Sequence, residues 1–146
     1  MNSSSIYPLG LGDANLLADP TQTDLDGSQY YPEAGLEPFD LVLTALQAKT
    51  DLSQYFGRDH DFLVTGLAGT QTGSYKLQLI LPDFRQLSTA QVNNSNLIGT
   101  AQFPVPIWPA IRVPAGGKIG INITDLSNAG NTIQIVFLGV RLYRTQ

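Results

Sequence analysis

The sequence predicts an all-β body, a jelly-roll-like two-sheet sandwich, carrying a long extended N-terminal arm. Three observations carry that prediction. From residue 38 onward apolar side chains recur with period two, the alternation that sends one set to each face of a sheet. Clusters of Gly, Pro and Asn punctuate these stretches, and no helical crossover separates them. The first 48 residues hold seven acids (Asp13, Asp19, Asp24, Asp26, Glu33, Glu37, Asp40) and no Lys or Arg, against five acids and eight bases in the remaining 98, which gives the net −4.

Residues 1–37 read as the arm and 38–146 as the body. Pro8, Pro20, Pro32, Gly10, Gly12, Gly27 and Gly35 interrupt the arm too often for a regular element to run through it. A solvating tail is poor in apolar residues, yet this one carries Tyr7, Leu9, Leu11, Leu16, Leu17, Tyr30 and Tyr31. These are the expected interface residues, since buried aromatic and aliphatic anchors dominate interface energy. For Tyr30 and Tyr31, next to the body, folding back on their own sandwich is the alternative. The acids seek cations, and the candidates are Lys49, Arg58, Lys76, Arg85, Arg112, Lys118, Arg141 and Arg144. An arm held this way is weakened by salt.

In the body, Phe39, Leu41 and Leu43 mark the first strand. The stretch from Leu43 to Tyr55 has some helical spacing, but its β-rich setting favours strand, turn, strand. Phe62 and Val64 open the next strand. The segment GLAGTQTG, residues 66–73, reads as the loop of a hairpin to Tyr75, Leu77, Leu79 and Leu81. Four prolines between residues 104 and 114 exclude a helix interior and a central strand, leaving an extended edge segment. Ile119, Ile121 and Ile123 alternate with polar neighbours, and the turn SNAGN leads to Ile133, Ile135 and Phe137, the clearest hairpin pattern in the chain. The last run, TIQIVFLGVRLYR, is apolar on both phases, as in a strand covered on both faces. Gly139 within it marks a bulge or a close backbone approach. An immunoglobulin-like sandwich is the competing architecture, and pattern alone does not give strand order.

Composition narrows the chemistry. With no Cys, disulfides, thiol nucleophiles and Cys-held metals are ruled out. Eight bases in a net acidic chain argue against nucleic acid as a partner, because phosphate neutralisation supplies most of that affinity. No apolar run reaches the roughly 20 residues of a membrane span, and the start lacks a signal-peptide pattern. The chain is therefore expected to be made in a cytoplasm and to need no membrane.

Catalytic candidates are sparse. The single histidine, His60, sits between Asp59 and Asp61. That trio suits a metal or a hydrolytic base only if the loop curls, because neighbours in an extended chain face opposite ways; a polar turn is the simpler reading. Asp83 and Asp125 follow strands at turn-capping positions. No nucleotide loop and no GxSxG elbow is present. No catalytic, cofactor or metal residue is assigned, and no enzyme activity is expected. Trp108, with Phe103, Tyr75 and Tyr143, offers a second possibility, a carbohydrate-stacking platform, against the plainer role of core or interface aromatics.

The succession DFLVTGLAG, GSYKLQLILPD, a proline-rich strand, then VPAGGKIGINITDLSNAGNTIQIVFLGVRLY resembles capsid cement, or decoration, proteins among the structural proteins of tailed bacteriophages. The resemblance covers residues 38–146. It implies a structural role: a β-body on the outer surface of the capsid, with an arm that reaches across neighbours and locks capsomers. The implied partners are the major capsid protein and further copies of this chain, through arm exchange. The implied location is the virion exterior after synthesis in the host bacterium. A receptor- or glycan-binding module of a phage tail or fibre is the alternative function.

Overall fold

The structure, a computed structural model, describes residues 30–144. Eight strands follow in order: β1 Tyr30–Leu43, β2 Ala48–Tyr55, β3 Asp61–Gln71, β4 Tyr75–Ile80, β5 Val92–Asn93, β6 Val105–Val113, β7 Lys118–Asp125 and β8 Asn131–Arg144. They build two antiparallel four-stranded sheets, a first ordered β1-β8-β3-β6 and a second ordered β2-β7-β4-β5. Every connection except β4 to β5 changes sheet, which is the jelly-roll order. Among the described residues no helix is long and apolar enough to cross a membrane.

The core lies between the sheets, where Ile119, Ile121 and Ile123 of β7 meet Ile133, Ile135 and Phe137 of β8 across a layer that includes Phe62, Leu77 and Leu79. Full burial of each such side chain contributes about 1.5–3 kcal/mol. The strands around Phe62, Tyr75, Ile119 and Ile133 are where the alternation predicts them, and Ala48–Tyr55 is a strand. The proline-rich β6 is an edge strand, as expected.

Two pairings differ from expectation. β3 and β4 are not a hairpin, and neither are β7 and β8, since each pair is split between the two sheets. An arch that crosses between sheets and a hairpin within one sheet both send the same alternate residues inward, so period two cannot separate them. Much of the supposed loop 66–73 is strand, because β3 runs to Gln71. The arm boundary also moves. β1 begins at Tyr30, and residues 30–37 pair with β8 in one unbroken register from Tyr30↔Arg144 to Leu43↔Asn131. Pro32 and Pro38 have the same parity, so both missing N–H groups face one side of β1, the side an edge strand leaves unpaired.

The three arches β1–β2, β3–β4 and β7–β8 meet at one end, tied by two buried polar residues. Asp125 accepts hydrogen bonds from the Leu46 N–H (2.8 Å), Ser127 Oγ (2.8 Å) and Asn131 Nδ2 (2.9 Å). Asn131 also accepts from the Gly73 N–H (3.0 Å) and donates to the Gly73 carbonyl (2.8 Å). Asp125 thus does cap a turn, and it also stitches neighbouring arches. In the middle of the first sheet Gly139 lies so close to β3 that a Cβ would stand 1.8 Å from the Leu63 carbonyl oxygen. The register shifts beside it, between Val64 and Gly66.

Candidate functional site

Tyr7, Leu9, Leu11, Leu16 and Leu17 lie outside the described residues. Tyr30 belongs to the body: it is 1% exposed and packs with Leu63 and Leu142. The Arg112 and Arg144 guanidiniums stand 5.2 and 5.6 Å from its ring centroid. Its reading as an arm contact is corrected accordingly, because a ring packed on Leu63 and Leu142 and flanked by two guanidiniums leaves almost no surface for a neighbour. Tyr31 is exposed and sits opposite Tyr143.

The eight candidate cations do not form one acceptor surface. Arg141 pairs with Glu33 (3.2 Å) and Glu37 (3.6 Å), two acids that the sequence placed in the arm. The Glu33 hydrogen bond raises the Arg141 pKa further above its ordinary value. Arg112 reaches Asp61 at 2.8 Å and Arg85 reaches Asp83 at 2.5 Å. Lys118 stands over the Tyr55 ring, whereas Lys49, Arg58 and Lys76 make no ion pair among the described residues. From Tyr30 onward the chain has eight acids and eight bases, so the charge excess sits in residues 1–29, with four acids and no Lys or Arg.

Around His60 the neighbours diverge. His60 Nδ1 and Asp59 Oδ1 share a 2.6 Å hydrogen bond, which holds the Asp59 carboxyl below its ordinary pKa. Asp61 turns instead to Arg112 and to the Ala115 N–H at 3.0 Å. No group of three or more His, Cys, Asp or Glu gathers among the described residues in a way that would hold a metal ion. The local chemistry is that of a braced turn.

Three surface features had little or no signal in the sequence. The first is Phe84, 81% exposed at φ 67°, in the loop after β4. Its loop is closed by the Leu81 N–H donating to the Arg85 carbonyl (2.7 Å) and the Phe84 N–H donating to the Leu81 carbonyl (2.9 Å). Burial pushes the Asp83 carboxyl up, but hydrogen bonds from Arg85 outweigh it and hold the pKa below its ordinary value. A left-handed backbone costs a bulky residue about 1–2 kcal/mol, so the fold holds this ring in water against a local penalty. LPDF signals a turn, and nothing in it signals an outward ring.

The second feature is a groove of about 680 Å³ between that loop and β6, lined by Leu81, Pro82, Leu87, Trp108, Pro109 and Arg112 among others. Trp108 is 53% exposed. The lining is mostly apolar, with Asp83, Arg85 and Arg112 as its charged members, each already in an ion pair. Such a wall suits an extended apolar peptide better than a sugar, whose hydroxyls need unengaged polar partners.

The third is the outer face of the first sheet. Cross-strand rows place Leu36 beside Leu138, Gly66 and Pro106, and Pro38 beside Val136 and Ala68. Leu36 is 60% exposed. The second sheet presents Lys76, Gln78, Asn122 and Thr124 on the equivalent face, with Asn122 Nδ2 donating to Gln78 Oε1. The first outer face has an apolar centre, ending at the Gln134–Asp40 hydrogen bond, and the second is mainly polar. No protein-family model and no curated protein matches this chain.

Proposed function

We propose that this protein is a non-enzymatic capsid cement protein whose body seats on the outer surface of a phage shell and whose residues 1–29 engage neighbouring subunits. The observation that carries the docking role is the set of large aromatic side chains, Phe84, Phe103 and Trp108, held in water on a well-packed body. Exposed apolar surface of this kind marks sites of association. The shell as partner comes from the resemblance of residues 38–146 to cement proteins. A jelly roll is compatible with it, but the same architecture serves capsid and lectin domains alike. Repeated weak contacts across a symmetric shell would add through avidity, which suits a surface built from scattered anchors.

Phe84→Gly tests the docking surface, since Gly accepts the positive φ and removes the ring. The variant is expected to unfold at the same temperature or higher and to bind shells at least about tenfold more weakly, the loss of one aromatic anchor. Unchanged shell binding would remove Phe84 from the interface. The half-exposed Trp108 in its groove favours a second reading, a receptor-binding module of a phage tail or fibre that takes an extended apolar segment of its receptor. That reading expects receptor binding that Trp108→Ala abolishes.

A further inference from the structure

We infer that the apolar outer face of the first sheet is the seat of this chain's own N-terminal segment, residues 6–25, in the free protein. The inference concerns the molecule away from any shell and does not depend on the cement reading.

Four observations converge on this occupant. Only one of the two outer faces has an apolar centre, and it belongs to the sheet that residues 1–29 enter, through β1. Tyr30, where they enter, already lies on that face, buried against Leu63 and Leu142. Its hydroxyl is buried with no hydrogen-bond partner among the described residues. Just before it stands Asp26-Gly27, a turn dipeptide suited to reversing the chain back over the sheet.

Length and chemistry agree. At about 3.3 Å per residue, 29 residues reach up to ~95 Å, roughly twice the ~46 Å of β1. The segment brings Ile6, Leu9, Leu11, Leu16 and Leu17 to a face whose Leu36 stands exposed beside the buried Tyr30, Leu63 and Leu142, and it brings Asp24 and Asp26 to the corner where Arg112 and Arg144 flank Tyr30. Tethering gives the segment an effective concentration of order millimolar. A second copy at micromolar concentration cannot compete with that. On a crowded shell the same contacts can pass from one copy to the next, as in domain swapping.

The chain has no Cys, so Leu36→Cys places a single thiol on the face without touching the core. In the full chain its alkylation is expected to be at least about tenfold slower than in a chain that also carries Leu9, Leu11, Leu16 and Leu17 changed to Ser, because labelling must then wait for local opening. A thiol at Lys76→Cys, on the polar face, should react equally fast in both. Equal rates at Leu36→Cys would overturn the inference. A flexible bifunctional maleimide, applied to dilute chains carrying Leu36→Cys and Leu17→Cys, then identifies the source. Bridges within one chain are expected, and bridges only between chains, or none, would overturn the assignment to the chain's own segment. The cement reading fails separately, if shells are not bound by a chain whose Leu36→Cys thiol is protected.

Discussion

Asp125 shows how a charged residue comes to sit at 1% exposure in a sandwich. Burial pushes its carboxyl up, but hydrogen bonds from Asn131, the Leu46 N–H and Ser127 outweigh that push and hold its pKa below the ordinary 3.8. A carboxyl depressed in the folded state adds stability that is complete above the unfolded value and lost as pH falls through the folded one. Urea unfolding midpoints should therefore drop below about pH 4, and Asp125→Asn, weaker at neutral pH, should lose that part of the acid dependence. Asn131→Ala should cost about 2–4 kcal/mol by the same assay, since the Gly73 N–H and the Asp125 carboxylate both lose a buried partner. Tyr75 is the opposite case. Its hydroxyl is buried without a partner among the described residues, and burial pushes its pKa up. Tyr75→Phe should thus leave stability unchanged or raise it by up to about 1 kcal/mol in calorimetry.

At the scale of elements, the alternation in β7 and in the first half of β8 was legible because Ile119 to Asp125 and Asn131 to Phe137 bury every second side chain. Their partners were not, because sheet membership depends on contacts between strands far apart in sequence: β8 pairs with β1 and β3, and β7 with β2 and β4. The stretch from Tyr30 to Leu36 hid its strand behind Pro32 and Gly35, which an edge position tolerates. The basic candidates failed as a patch for a related reason, since sequence reveals charge but not that Arg141 turns to Glu33 and Glu37. Gly139 was legible, as an isolated glycine in a strand pattern. Gly139→Ala should cost more than about 3 kcal/mol, because its Cβ would collide with the Leu63 carbonyl in the centre of the sheet. Near-native stability of that variant in denaturant titration would refute the close approach.

For the whole molecule, fold and role separate. The sandwich follows from patterning, whereas the docking features reside in departures from it: a strained Phe84, a half-exposed Trp108 and an apolar outer face where polar residues are the rule. Of these only Trp108 stood out in the sequence, as one aromatic of a possible stacking platform; outward-facing Leu36 and Leu138 look like any strand residues until register assigns their side. Together with residues 1–29 they make a body with several places to be covered. The cement reading states what covers them in the virion. Its most direct test is to mix the full chain, and a chain with the four arm leucines changed to Ser, with expanded shells of major capsid protein and to follow binding and the heat-induced rupture of the shells. The account predicts saturable binding of the full chain with a higher rupture temperature, and loss of that protection in the leucine variant. Shells that neither bind the full chain nor gain heat resistance would contradict it.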